Sequence, residues 1–580
     1  MQQKLFIDNS IQKDLLFNDI HDYLKQKLFK DLQMIKIIQA KKIITMNPRN
    51  PIATHMSLLD GKILQVGSLE KITPSEKYEL DDSFKDDVIM PGLVEGHSHL
   101  FEGALWSKEY CGYFDRQRPD GSIKSGAKNI NQLIEILKTE EKKISDPSQP
   151  LPGWGLDPIY FEDKNLDRSI LDQVSDKRPI GILHASGHKL NVNTAALKLA
   201  GFLKTGINHE GLPLGKDSIP SGEIRGPETI AMLTRHVGLG KDWLAGDAEG
   251  LRNFGKICVR AGVTTAADLA NLQEDESIRM MSRVTSEPDF PTRIVSLRYM
   301  QGISPKEVIK RVLDLREKSS ENLRLGAIKV VADGSIQGFT ARLKWPGYFN
   351  GAPNGLWYTA PEHIQEVYEL ALENNILVHT HTNGDEATEL ALDCLEKALV
   401  KFPRNDHRFT LQHCQLASTS QFKRMNNLGM CVNLFANHHY FWGDEHYSLT
   451  VGPEKAESMN ACRTALENNV PLAIHSDAPV TPLGPMFTAW CAMNRLTFSG
   501  KTLGEYEKIN KIEALYAITL GAAFTLKLDA EIGSLEKGKK ADCCILEEDP
   551  LEIDIENFKD QKIKGVIKGG TPFIVKDEQK

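Results

Sequence analysis

Eight short apolar runs, each closed by a polar residue, are the feature that most limits how this chain of 580 residues can fold. Segments with helical periodicity lie between the later runs, for example residues 361–375 and 385–400. Strands and helices that alternate in this way favour parallel βα units, and eight such units favour a closed (β/α)8 barrel. The runs end near the following residues: His97, Asp268, Arg298, Asp333, His381, His413, Asn433 and Asp477.

The spacing between the first two runs is much wider than a single βα unit requires. The chain takes about 170 residues to pass from His97 to Asp268. Structureless loops of that length are uncommon in compact domains, so the segment needs a structure of its own. We therefore expect residues 105–250 to form a large excursion over the mouth of the barrel.

Both chain ends carry short β-branched runs that are separated by turn signals such as Asn-Pro, Asp-Gly and Gly-Ser. We predict an α/β fold in which a TIM barrel over residues 91–525 joins a small β-sandwich domain built from both chain ends, residues 35–90 and 526–580. Residues 1–34 place apolar side chains at helical spacing and predict a helical N-terminal extension. Such a helix packs either on the body of the protein or on a partner subunit, which leaves a homo-oligomer open.

The composition argues against several classes of partner. The net charge is −8, and the chain has no cluster of Lys and Arg interleaved with aromatic residues, which argues against nucleic acid. No apolar run reaches the roughly 18 residues of a membrane span, and the charged N-terminus does not resemble a secretory signal. Nine cysteines without a CxxC pair favour a reducing, cytoplasmic setting. The expected partner is a small-molecule substrate.

The segment MPGLVEGHSHL places His97 and His99 two residues apart at the end of an apolar run. Because side chains alternate along a strand, both imidazoles point to the same face and can converge on one ion. In a chain with 17 histidines, however, a chance or purely structural pair explains this spacing equally well.

Three further residues strengthen the metal hypothesis. His381, His413 and Asp477 each close a separate strand-like run, at the end from which a barrel presents its catalytic residues. One such residue alone is more commonly a hydrogen-bonded core residue, but agreement among four strand ends favours a common site. Imidazoles together with a carboxylate suit zinc and its first-row neighbours better than magnesium or calcium.

These motifs resemble the amidohydrolase superfamily, in particular the branch that contains N-substituted formamide deformylase and the exoenzyme-regulator-like hydrolases. The resemblance extends over residues 35–575 and includes the closing segment GSLEKGKKADCCIL. The family segment HAIGDRA corresponds to HTNGDEA here, which places a ligand at His381, although His379 is an alternative. The resemblance implies two divalent metal ions, most simply zinc, with these ligands: His97, His99, Lys329, His381, His413 and Asp477.

Lys329 lies within the otherwise apolar run LGAIKVV. Burial makes a charged lysine costly, so its pKa falls and the amine becomes nucleophilic or open to modification. From the sequence alone, an ion-paired or snorkelling lysine is the simpler explanation. The resemblance instead implies a carboxylated Lys329 that bridges the two metals.

Two segments of the excursion, GWGLDP and HASGHKLNVNTAAL, are similar to substrate-facing segments of the family. The similarity makes Trp154, His188 and Asn193 candidate substrate-binding residues. Asn191 stands where the family has tryptophan, which predicts a more polar pocket wall. The same polar groups could equally serve to tie down a long loop.

In the mechanism that this assignment implies, two metals lower the pKa of a shared water and one of them polarises the scissile carbonyl. Asp477 orients the water, accepts its proton and returns it to the leaving amine. The predicted activity is metal-dependent hydrolysis of a non-peptide C–N bond in an amide, formamide or cyclic amide. Two alternatives remain: ester, lactone or deaminating hydrolysis at the same site, and an inactive member with a binding or regulatory role.

Overall fold

The structure is a computed structural model that describes residues 34–161, 166–240, 244, 246–300 and 302–576. The helical extension predicted for residues 1–34 lies, apart from its last residue, outside the described residues. Across the described ranges, no helix is both long enough and apolar enough to cross a bilayer.

The predicted barrel is confirmed. Its eight strands are parallel, and each pairs with the next one along the chain. The ring closes through a parallel bridge between Ser98 and Ala478 and a hydrogen bond of 3.1 Å from Asp477 N to His97 O. The barrel strands are Leu93–Ser98, Val263–Asn271, Arg293–Tyr299, Leu323–Val331, Val378–Thr382, Thr410–His413, Cys431–Leu434 and Leu472–Ile474.

Amphipathic helices cover the outside of the barrel. In Asp275–Thr285, for example, the buried face contains Ile278, Met281 and Val284, which are spaced by three residues as one helix face requires. These faces pack on the strands and form the main hydrophobic core. The helices of this region are Ala248–Arg260, Asp275–Thr285, Pro305–Arg316, Pro361–Glu373, Asp385–Lys401, Thr419–Leu428, His438–Glu445, Gly452–Ser458, Cys462–Glu467, Pro485–Asn494, Lys511–Ala517 and Leu520–Thr525.

The chain between the first two barrel strands forms a sheet of its own. This five-stranded sheet has two separate hydrophobic clusters. Its strands, in spatial order, are Glu223–Arg225, Lys189–Val192, Ile180–His184, Leu151–Leu156 and Glu109–Tyr110. The helices of the excursion are Phe101–Leu105, Ile130–Glu141, Arg168–Asp172, Thr194–Leu199 and Pro227–Leu233.

Strands from both ends of the chain form a single seven-stranded sheet. Cys543–Leu546 pairs with Tyr78–Pro91, which joins the C-terminal strands to the N-terminal ones. Apolar residues from both ends share one hydrophobic cluster. In spatial order the strands are Thr571–Ile574, Ile563–Lys568, Cys543–Leu546, Tyr78–Pro91, Ile35–Ile44, Ile52–Leu59 and Lys62–Gly67.

Candidate metal centre

The carboxyl ends of the barrel strands surround a cavity of roughly 140 Å³. The barrel thus brings together residues from the ends of five separate strands, which are far apart in the sequence. All six residues predicted as metal ligands border this cavity: His97, His99, Lys329, His381, His413 and Asp477.

Asp477 stands at the centre of this group. Its Oδ1 lies 3.2 Å from His97 Nε2 and 3.0 Å from His99 Nε2, and its Oδ2 lies 3.7 Å from His413 Nδ1. Two ligands bound at about 2.1 Å to a tetrahedral ion stand about 3.4 Å apart, so these separations suit ligands of a shared ion.

The backbone is strained where two of these residues leave their strands. His413 has φ 66° and Asp477 has φ 52°, both in the left-handed region. For a histidine this conformation costs on the order of 1–3 kcal/mol, and such strain is concentrated at functional sites. Beneath Asp477, the Glu95 carboxylate accepts a hydrogen bond of 2.7 Å from Ser476 Oγ and one of 3.2 Å from His97 N, which ties the last strand to the first.

A chain of hydrogen bonds below the cavity sets the tautomer of His97. Burial lowers the pKa of His379 to about 3, so its ring is neutral. Because a carbonyl can only accept, His379 Nε2 donates to Thr525 O at 2.9 Å, and His379 Nδ1 accepts from Gln412 Nε2 at 2.7 Å. Gln412 Oε1 then accepts from His97 Nδ1 at 2.8 Å. His97 Nε2 therefore keeps a free lone pair on the side of Asp477 and Lys329.

Position distinguishes His379 from His381. Both nitrogens of His379 are hydrogen-bonded below the cavity. His381 borders the cavity, with its ring centroid 4.4 Å from that of His413, and its Nε2 lies 3.2 Å from Gly334 O. This arrangement favours His381 as the ligand and gives His379 a supporting role.

His475 also belongs to the site, although it was not predicted from the sequence. Its Nε2 lies 3.0 Å from His413 Nδ1. One ring nitrogen from each of His97, His413 and His475 could bind a metal, and these three atoms lie within 4.8 Å of one another. A signal for it was present, because His475 precedes Asp477 by two residues, the same spacing as His97 and His99. Gln412 was also not predicted. It comes one residue before His413, so the alternation of side chains along the strand gives no signal for it.

Lys329 is 2% exposed, and its Nζ lies 3.5 Å from His97 Nε2. Burial lowers the pKa of this amine to about 7, against the opposing effect of the Asp477 carboxylate. A large fraction of the amine is therefore uncharged near neutral pH, unlike an ordinary surface lysine with a pKa of about 10.4.

The residues around the cavity fit a bound metal. Burial lowers the pKa of His97, His381, His413 and His475 well below the usual value, so the rings are neutral, as metal ligation requires. The buried Nδ1 of His99 has no hydrogen-bond partner. Neutral imidazoles that face one carboxylate form a ligand set suited to a first-row divalent ion.

The excursion brings two of its three candidate residues to the cavity. Trp154 and His188 border it, and the His188 ring centroid lies 5.5 Å from that of His381. Asn193 does not reach it. Its Oδ1 accepts from Ile180 N and caps a helix at Ala196 N, while its Nδ2 donates to Ser175 O and Arg178 O. Its role in the structure is to tie down the loop.

The cavity wall away from the histidines is apolar. Asn191, which predicted a more polar wall, lies outside the lining, since its side chain hydrogen-bonds His184 and Leu166 O. Among the described residues that border the cavity, Lys329 and Asp477 are the only Lys, Arg, Asp or Glu. The apolar wall consists mainly of Phe101, Leu105, Trp154, Leu183, Leu244, Leu269 and Leu272.

The comparison with protein families agrees with this geometry. The profile described as "Amidohydrolase family" matches residues 85–574, which is most of the chain. The chain belongs to the amidohydrolase family. It is therefore a hydrolase, and the resemblance inferred from its motifs is confirmed.

Several proteins are similar to this chain over most of their length. N-substituted formamide deformylase of Arthrobacter pascens is 25% identical over 91% of this chain and 96% of its own. Protein LONG AFTER FAR-RED 3 of Arabidopsis thaliana is 25% identical over 87% of this chain and 85% of its own. The crystal structure of an uncharacterised metal-dependent hydrolase from Pyrococcus horikoshii OT3 superposes with a TM-score of 0.67 at 20% identity. It covers 90% of this chain and 99% of that one. At that identity it supports the fold alone.

Proposed function

We propose that this amidohydrolase is a metal-dependent enzyme that cleaves a non-peptide C–N bond, with an N-substituted formamide or small amide as substrate. The observation that carries the proposal is the convergence of imidazoles, Lys329 and Asp477 on one side of a cavity that is otherwise apolar. A cavity of roughly 140 Å³ suits a small acyl group. The name of the relative from Arthrobacter pascens points to the same bond.

In this proposal His97, His99 and Asp477 would hold one ion and His381 and His413 a second, and a carboxylated Lys329 would supply further oxygen ligands. When bound, divalent ions of this kind lower the pKa of a coordinated water and polarise a carbonyl oxygen. The uncharged fraction of the Lys329 amine is the form that reacts with carbon dioxide. His475, 3.0 Å from His413, holds that ring in place.

The chain's own groups supply the proton transfers. Asp477 takes the proton of the attacking water at a carboxylate oxygen and returns it to the nitrogen of the leaving amine, because an amide nitrogen leaves poorly unless it is protonated. Trp154 and the leucine side chains exclude bulk water from the cavity and orient the apolar part of the substrate. His188 Nδ1 is buried without a hydrogen-bond partner and can donate to, or accept from, a substrate polar group.

A matched pair of substrates tests the bond class. N-benzylformamide and benzyl formate share the acyl group and the benzyl group and differ in the atom that is cleaved from carbon. The rate enhancement of each substrate is its kcat/KM divided by its uncatalysed rate constant. For zinc- or manganese-loaded protein, we expect this enhancement to be about 100-fold larger for the formamide than for the ester, because the leaving nitrogen of the formamide needs a proton most. A larger enhancement for the ester would replace the proposal with an esterase. If the protein hydrolyses neither compound, and no acetamide or lactone either, the proposed function is contradicted.

A further inference from the structure

A second cavity lies next to the catalytic one. Its volume is roughly 580 Å³, and Pro227 and Tyr299 border both cavities. Pro227 begins a helix of the excursion, and Tyr299 ends the third barrel strand. We call this second space the outer cavity.

A polar atom without a partner marks the boundary between the two spaces. His188 Nδ1 on the catalytic side is buried and unpartnered, and its ring centroid lies 5.4 Å from that of Tyr358 on the outer side, whose hydroxyl contacts Thr340. Buried polar groups in proteins are nearly always hydrogen-bonded, so His188 Nδ1 indicates a ligand with a polar group of its own. Tyr299, which is 8% exposed, stands beside His188 and Tyr358 in the lining of both cavities.

The outer cavity carries an excess of negative charge. Its lining has three glutamates, Glu210, Glu228 and Glu307, and one arginine, Arg225, which pairs with Glu223 outside the lining. Glu307 accepts hydrogen bonds from the helix cap at Ser304 N and Oγ. Within the described ranges, Glu210 and Glu228 have no ion-pair partner.

Aromatic side chains and Glu228 lie close to the boundary. Trp357 and Tyr358 form one wall of the outer cavity. Burial raises the pKa of the Tyr299 hydroxyl, with further contributions from Tyr358 and from the Glu228 carboxylate. The negative charge of Glu228 therefore acts on Tyr299, which borders both cavities. Arg342 already lies over the Trp357 ring, 4.9 Å from its centroid, which leaves the Tyr358 ring and the unpaired carboxylates to attract an organic cation.

We propose that the outer cavity binds the distal part of the substrate's N-substituent, an alkyl or aromatic chain that ends in an ammonium group and passes between Pro227 and Tyr299. This assignment rests on the proposed function, because it extends the same substrate beyond the catalytic cavity. Tyr299 then determines specificity for substituent length, and Glu228 determines specificity for a charged end.

Binding of product-like amines tests the proposal without relying on turnover. Calorimetry on the metal-loaded full-length protein would compare linear α,ω-diamines, from butane-1,4-diamine to decane-1,10-diamine, with monoamines of the same length. Beyond a threshold length, we expect the diamine to bind about tenfold more tightly than its monoamine. Glu228→Gln should reduce this preference at least about threefold, since it removes an exposed charge, whose pairing energy is modest. Tyr299→Trp should abolish it by narrowing the passage.

The matched control is Glu362→Gln. Glu362 is exposed in the first turn of Pro361–Glu373 and is not part of the lining, so its loss removes the same charge without touching the outer cavity. The preference for diamines should persist in this variant. Equal binding of diamines and monoamines at every length, or a preference that survives both Glu228→Gln and Tyr299→Trp, would overturn the proposal. Formamide hydrolysis without a diamine preference overturns this inference alone, whereas a diamine preference without hydrolysis overturns only the proposed function.

Discussion

Asp477→Asn is expected to lower kcat for N-benzylformamide by a factor of about 10³ or more, because it removes the group that accepts and returns the proton. Asparagine has nearly the same size and retains an oxygen that can bind, so the barrel should remain folded. Benzyl formate should lose less activity, since an alkoxide leaves with less help from an acid than an amine does. The measurement is kcat for both substrates, with circular dichroism and the thermal midpoint as checks on folding.

The control for this substitution is Asp560→Asn, which removes an exposed carboxylate outside the cavity. Its kcat should match that of the wild type. If Asp477→Asn retained wild-type kcat for the formamide, Asp477 would have no part in the proton transfers. An equal loss for both substrates would restrict Asp477 to metal binding.

Lys329→Ala is expected to remove most of the bound metal and to lower kcat by at least about 100-fold, in line with the loss of a group that organises a metal site. A carboxylated lysine would contribute two oxygens, and alanine contributes none. Acetate or propionate should restore part of the activity, because a small carboxylate fits the vacated space and supplies the same atoms. The readouts are metal content and kcat at increasing carboxylate concentration.

The pKa of about 7 for Lys329 makes this variant informative. An uncharged amine is required for reaction with carbon dioxide, so metal reconstitution of the wild type should depend on dissolved carbon dioxide. Lys397→Ala, which removes an exposed lysine from a barrel helix, should show neither metal loss nor rescue. No rescue by any carboxylate, together with a wild-type mass that shows no added carboxyl group, would make Lys329 a plain structural cation.

The barrel and its candidate ligands could be predicted because, in this fold, the position of a residue along a strand determines where it lies in space. In a parallel barrel, every strand ends at the same rim, so polar residues that close apolar runs must meet there. The positions of His97, His381, His413 and Asp477 in the sequence therefore suffice to place them at one rim. His475 was missed because this rule was applied only to the last polar residue of each run, although period two also directs the residue two positions earlier inward.

The parts that could not be predicted depend on loops without periodicity. Asn193 looked like a substrate contact, but only the fold of the excursion shows that its side chain serves as a helix cap and a loop anchor. The outer cavity is formed by residues far apart in the chain, such as Pro227, Tyr299 and Trp357. No local pattern links these positions, so the sequence contains no sign of the space between them.

Counting the metal ions bound per chain is the sharpest test of the proposed two-metal site. We expect about two first-row divalent ions per wild-type chain after expression in zinc- or manganese-supplemented medium, since the proposed ligands divide into sets for two such ions. Hydrolysis of N-benzylformamide should disappear as a chelator removes them and should return when they are added back. Full formamide hydrolysis by protein that elemental analysis shows to be free of divalent metal would contradict the proposed metal-dependent mechanism.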